Sequence, residues 1–363
     1  MVPLFLALAV SSVAAQTIGS RTQPVIVDQG PHHNLWQYQT YEPGPDGKPV
    51  AKIHQYRELA SGLNYLNGGK WTASIEKIDV FPGGAVAQHG QTRIIFANDI
   101  NTATAIDMQT SDGQRLRSHI LGLMYSDSST GKAVIIARLQ DAEGELVADN
   151  QVLYPNAFEG VKADVRYNYR LEGNEQDVIL REQPPTPEAY GMNSATTELE
   201  VITEFEDPPS QITAGMSGTG ASDDQQIRWG GTSLGESKAF NLGGEPVETP
   251  VSKQFIQMDG RHFLLEKVSV QAIESALKKL PEQASNARRL SEMASVHVAF
   301  PKAPARKSTS QSMRLAIGAV PDKGYVLDYS TLSGNVTNFT FQGDSTYFIS
   351  GPVNLYGTTT IRL

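Results

Sequence analysis

Asp164-Val165-Arg166-Tyr167-Asn168-Tyr169-Arg170 alternates polar and apolar side chains with a period of two. Successive side chains on a strand point to opposite faces, so Val165, Tyr167 and Tyr169 share a face expected to meet a core, and Arg166, Asn168 and Arg170 share one expected to meet water. The period returns at Leu199, Val201, Thr203 and Phe205, which alternate with Glu198, Glu200, Ile202 and Glu204. Only Ile202 interrupts the polar face, and the glutamates read as solvated. Shorter β-branched or apolar runs lie at 93–97, 120–125, 133–139 and 177–181. Asp46-Gly47, Asn67-Gly68-Gly69, Asp112-Gly113 and Asp259-Gly260 supply the positive φ that hairpin turns require. Many short strands with such punctuation and no alternating helices predict a mainly β chain, a large antiparallel β-sandwich over 16–301.

Working outward, residues 208–250 become Gly-, Ser- and Asp-rich and read as a flexible loop, loosest at 217–224, with pattern returning at 226–229. Across 254–268 the strands resume, and Met258-Asp259-Gly260-Arg261 reads as a hairpin tip. One helical excursion is predicted over 269–294. Its first helix has Ile273, Leu277 and Leu280 at i, i+4 and i+7, Lys278 and Lys279 in the last turn, and Pro281 as its stop; a second covers 284–293. Residues 302–312, with the basic cluster between Lys302 and Lys307, read as a solvated linker.

A C-terminal β segment follows over 313–363, where Met313, Leu315 and Ile317, then Tyr325, Leu327 and Tyr329, alternate with other residues. Val353, Leu355 and Ile361 have strand-interior character, punctuated by Gly343-Asp344, Gly351-Pro352 and Gly357, as in the first rung of a β-helix. A single rung cannot bury its own face, so the expectation is that Leu363 is a truncated end and that strands continue into a repeat array.

The start of the chain carries an apolar run from Val2 to Val10, then Val13 and Ala15 at the small-residue positions of a signal-peptide cleavage site, which predicts export with a signal peptide over 1–15. The run is too short to span a bilayer, which takes roughly 20 helical residues, and no later run reaches that length. The only positive charge before it is the α-amino group, which raises a start codon upstream of Met1. Cysteine is absent, which excludes disulfide-stapled scaffolds, Cys-ligated zinc and Cys nucleophiles. A net charge of −9 argues against a nucleic-acid partner, whose phosphates demand a basic face.

Motifs with chemistry are few. Gly231-Thr232-Ser233-Leu234-Gly235 matches G-x-S-x-G, whose serine needs a helix directly after it; Gly243, Gly244 and Pro246 follow instead, so a Gly-rich β-turn is favoured. His32-His33 offers two adjacent ligands in poor geometry, and His89 sits among small residues that favour packing. Asp141, Glu143 and Glu145 lack the twelve-residue ligand sequence of a calcium loop. Trp36, Trp71 and Trp229 are candidates for a sugar-stacking platform or, more simply, core anchors. No catalytic, cofactor-binding or metal-ligating residue is assigned.

Across 56–205 the chain resembles the N-terminal regions of very large secreted bacterial proteins, some with RHS or YD repeats and some with right-handed β-helix repeats. The residues that carry the resemblance are Arg57-Glu58-Leu59-Ala60-Ser61-Gly62-Leu63-Asn64-Tyr65, Gly69-Lys70-Trp71, Gly83-Gly84-Ala85-Val86-Ala87-Gln88-His89-Gly90-Gln91, Leu153-Tyr154-Pro155-Asn156-Ala157-Phe158 on to Tyr169, and Asp177-Val178-Ile179-Leu180-Arg181-Glu182, with Gly260-Arg261-His262-Phe263-Leu264-Leu265-Glu266 beyond the loop. It implies a β-sandwich module placed before a long repeat region. The function expected is a non-enzymatic structural or capping module of a larger secreted or cell-surface protein, serving adhesion or assembly, with the rest of that protein or a surface partner as its contact. The alternative is a carbohydrate-binding module or polysaccharide-active enzyme that contacts glycans.

Overall fold

The computed structural model describes residues 17–209, 215–216, 225–243, 248–282, 299–307 and 309–362. The signal peptide predicted over 1–15 and the second helix predicted over 284–293 fall outside the described residues. The protein is mainly β and builds a large sandwich. No helix among the described residues is long and apolar enough to cross a membrane.

Two sheets form the sandwich. In the first, the neighbouring strands are Ile78–Phe81, Gly84–Ala87, Arg93–Ala97, Ile106–Gln109, Arg115–Asp127, Thr197–Glu206, Arg261–Ser269 and Thr249–Met258, each antiparallel to the next. Lys132–Arg138 pairs beyond Ile106–Gln109 along the same edge of Arg115–Asp127. The second sheet runs Ser237–Leu242, Gly324–Gly334, Gly173–Leu180, Ala163–Tyr169, Gln151–Tyr154 and Glu145–Ala148.

Thr249–Met258 belongs to both sheets, because Thr249, Pro250 and Val251 pair with Ser237–Leu242 while Ser252 onward pairs with Arg261–Ser269. The opposite edges are laced by bridges between Pro82 and Ser312 and between Asp99 and Glu143, and by an Ile78 N–H to Asp149 carbonyl bond of 2.8 Å. Lacing of this kind removes the exposed sheet edges that template aggregation.

The core faces are those the alternation marks. Val165, Tyr167 and Tyr169 are all 2% exposed or less, and Tyr167 meets Phe96 and Tyr154 at ring-centroid distances of 5.7 and 6.2 Å. The opposite face of the same strand is not simply wet. Arg166 donates to Asp177 at 2.6 Å and Asn168 donates to Glu175, each pair directly opposite in register, so the polar side chains cover one another. Burial pushes the Asp177 carboxyl up to about 6 against the pull of Arg166.

Four readings are corrected. The loop over 208–250 contains strands at Arg228–Trp229, Thr232–Leu234 and Ser237–Leu242, and Trp229 is fully buried against Phe205 and Phe255. Glu200 and Glu204 are buried rather than solvated, because a second apolar cluster of Leu121, Met124, Ile135, Ile202, Phe263 and Leu265, capped by Phe300, covers that face. The C-terminal segment is not a separate unit, since Gly324–Gly334 is inserted between Gly173–Leu180 on one side and Thr232–Leu234 and Ser237–Leu242 on the other.

The linker over 302–312 is a strap bound to the sandwich. Lys307 lies 2.7 Å from Asp99 and 2.6 Å from Asp141, its N–H donates to Thr102 Oγ1, and the Ala103 and Gly83 N–H groups donate to the Pro304 and Gln311 carbonyls.

The helix is observed at Val270–Leu277, shorter than predicted, with Ile273 and Leu277 buried and Leu280 packed on the core just past its end. The hairpin tip is where the sequence places it: Met258 faces Arg261, and Asp259 and Gly260 hold φ values of 52° and 76°.

Candidate functional site

The residues singled out in the sequence are dispersed. Ser233 lies in a strand followed by another strand, with Asn335 Nδ2 donating to its Oγ at 3.1 Å. His32 Nδ1 accepts from the Gly62 N–H at 3.1 Å, and burial, with His33 adjacent, lowers its pKa to about 4. His33 pairs with Asp28 and His89 with Asp79. Asp141 and Glu145 are engaged by Lys307 and Arg314. Among the described residues, no group of three His, Cys, Asp or Glu is placed to hold a metal.

The three tryptophans occupy separate places. Trp36 stacks on Tyr56 in the Val25–Gly30, His33–Pro43 and Pro49–Leu59 sheet, Trp71 sits in the hairpin of Asn64–Asn67 with Lys70–Ala73, and Trp229 is in the core.

Sequence reasoning missed a buried ionic network. His119 is 3% exposed, with Nε2 3.0 Å from Glu204 and Nδ1 3.3 Å from Glu206. Arg261 makes a bidentate pair with Glu204, both contacts 2.6 Å, and also donates to the Phe300 and Pro301 carbonyls at 3.1 and 2.7 Å. The network therefore ties the strap to the first sheet. Ile202, the one apolar residue on the polar face, was the available signal that this face is covered.

Burial alone would push the Glu204 carboxyl up, but the hydrogen bonds from Arg261, with His119 close beside the carboxylate, outweigh it and hold the pKa at about 2. A carboxyl held below its unfolded value contributes stability that is fully present above that value, about 4.3 for Glu, and is lost as pH falls through the folded one. Urea midpoints measured from pH 7 to 2 are expected to fall below about pH 4.5, and Glu204→Gln to flatten that fall. An unchanged acid limb in the variant would assign the loss to other carboxylates.

The site with a directional architecture is the C-terminal edge. After Gly324–Gly334 the chain leaves the second sheet at Asn335, whose N–H and Nδ2 both donate to the Gly231 carbonyl at 3.1 Å. It then forms three short strands, Val336–Thr337, Thr340–Phe341 and Tyr347–Ile349, and returns above the first two of them as Leu355–Tyr356 and Thr360–Ile361.

These pairs are parallel and in step. Val336 faces Leu355, 19 residues on, and Phe341 faces Ile361, 20 residues on. The turns stack as well: Asn338 has a φ of 52° and Gly357 one of 75°, and Asn338 Oδ1 accepts the Thr358 N–H at 2.9 Å. Phe339, Phe341 and Tyr347 form an aromatic trio with centroids 4.9 to 6.4 Å apart.

The coil is fixed to the rest of the molecule at several points. Tyr347–Ile349 adds in parallel to the end of Pro49–Leu59, Ser61 accepts the Asn354 N–H at 2.8 Å and donates its own N–H to the Pro352 carbonyl, and the Arg228 guanidinium lies 3.3 Å over the Tyr356 ring. Leu355 and Ile361, on the outer coil, are 40% and 70% exposed, and their strands each pair on one side only among the described residues. No protein-family model, curated protein or solved structure matches the chain.

Proposed function

We propose that this protein is a non-enzymatic, exported structural module that caps and seeds a parallel β-solenoid belonging to a larger secreted or cell-surface protein. The observation that carries the reading is the parallel pairing at a 19- to 20-residue offset, fixed to a sandwich that is laced at its other edges. Constant-offset parallel stacking is how a solenoid buries apolar rows that one coil cannot bury alone. The first coil costs most to form, because it has no neighbour, and the sandwich offsets that cost by presenting Leu59, Ser61 and Arg228 as ready contacts. The outer coil then offers unpaired backbone groups and apolar Leu355 and Ile361 to the next parallel strand.

The test is to append three 20-residue repeats patterned on residues 336–355 to the full chain, and to express the same repeats alone. Hydrogen exchange is expected to show protected amides in the repeats only when they follow the module. Equal protection in the isolated repeats, or none in the fusion, would refute the seeding role.

A further inference from the structure

The strap over 299–312 connects the first sheet to a strand that is then buried in the middle of the second. Gly324–Gly334 pairs along both of its sides, and Tyr325, Val326 and Leu327 are 1%, 0% and 2% exposed. Ahead of it, Met313 is 3% exposed, Arg314–Leu315 pairs in parallel with Glu145–Ala148, and the Ala316 and Gly318 N–H groups donate to the Leu146 and Val147 carbonyls. Everything after the strap is thus held by strand insertion, independently of the covalent connection.

The strap itself has a different character. Residues 299–307 belong to no strand or helix, Lys302 and Arg306 are exposed, and neither makes an ion pair or side-chain hydrogen bond among the described residues. Lys307 does, so the one basic side chain of the cluster that is withheld is the one next in sequence. Pro301 and Pro304 remove backbone donors and keep the segment out of a helix. Exposed segments outside a hydrogen-bonded ladder are where proteases act. Here single bonds at Phe300, Pro301, Pro304 and Lys307, rather than a sheet, must open for the backbone to enter an active site.

We infer that the strap is a processing site for a trypsin-like protease, cut after Lys302 or Arg306, and that the cut leaves both pieces in one particle. Hydrolysis breaks the amide between Lys302 and Ala303 or between Arg306 and Lys307, with water supplying the hydroxyl to the new carboxyl end and a proton to the new amine. The C-terminal piece stays as an inserted strand with its coil, much as a separately supplied strand completes a sheet.

Limited trypsin digestion of the folded, full chain tests both halves. Mass spectrometry is expected to find a first-formed fragment beginning at Ala303 or Lys307, and the double variant Lys302→Gln, Arg306→Gln to lose it while keeping the circular dichroism spectrum of the parent. Size exclusion of the nicked protein should give one peak at the parent volume, resolving into two polypeptides only in denaturant. A first cut at other bonds with the strap intact overturns the processing site. Separation of the pieces in native buffer overturns retention by strand insertion.

Discussion

Trp229→Ala is expected to lower the unfolding free energy by about 3–5 kcal/mol, the cost of emptying a large aromatic from a packed interior. The ring has no exposed surface and lies against Phe205 at 5.3 Å and Phe255 at 5.9 Å, with Ile227, also fully buried, two residues before it. Phe205 and Phe255 sit on strands that are paired in the first sheet and cannot collapse inward to refill the space. Against a total stability of about 5–15 kcal/mol for a folded domain, the loss is a large fraction. Urea unfolding followed by near-ultraviolet circular dichroism measures it, with Trp36→Ala as the comparison. Trp36 is only half-buried, on a sheet outside the core, and its removal should cost much less. Equal losses for the two variants would mean that Trp229 is not a core anchor.

The contrast between these tryptophans shows where the sequence is legible. Val165, Tyr167 and Tyr169 announce their face because period-two alternation over a long strand is a local signal, and the Asp259-Gly260 turn is equally local. Trp229 sits on a strand of two residues in a Gly-rich stretch, paired with Thr232–Leu234 just after it, and its burial comes from Phe205 and Phe255, which are distant in the chain.

The insertion of Gly324–Gly334 beside Gly173–Leu180 and the pinning of Lys307 by Asp99 and Asp141 are likewise long-range pairings that no window of sequence contains. Alternation also says that a strand has two faces without saying whether the polar one will be covered. Glu200 and Glu204 read as solvated for that reason, although Ile202 between them marks the row that Leu121, Phe263 and Leu265 bury.

The covered face makes the second large effect calculable. Arg261→Ala is expected to destabilise the protein by about 3 kcal/mol at pH 7, the lower end for removing one partner of a buried ion pair. The guanidinium gives Glu204 two donors and gives Phe300 and Pro301 one each, so its loss strands a buried carboxylate and frees the start of the strap. His119 at 3.0 Å remains beside Glu204 but supplies no second parallel donor.

Arg261→Lys should recover only part of the loss, because an ammonium has three donors and no planar fork to meet a carboxylate side-on. A double-mutant cycle with Glu204→Gln separates the pair from the strap: coupling above about 1 kcal/mol assigns the effect to the pair, as expected for residues in direct contact. Coupling near zero would place it in the Phe300 and Pro301 contacts. The acid limb gives an independent reading, because without Arg261 the Glu204 carboxyl is no longer held near 2 and the variant should lose less stability than the parent between pH 4.5 and 2. A variant as stable as the parent at pH 7 would show that the strap and the second apolar cluster hold this face without the ion pair.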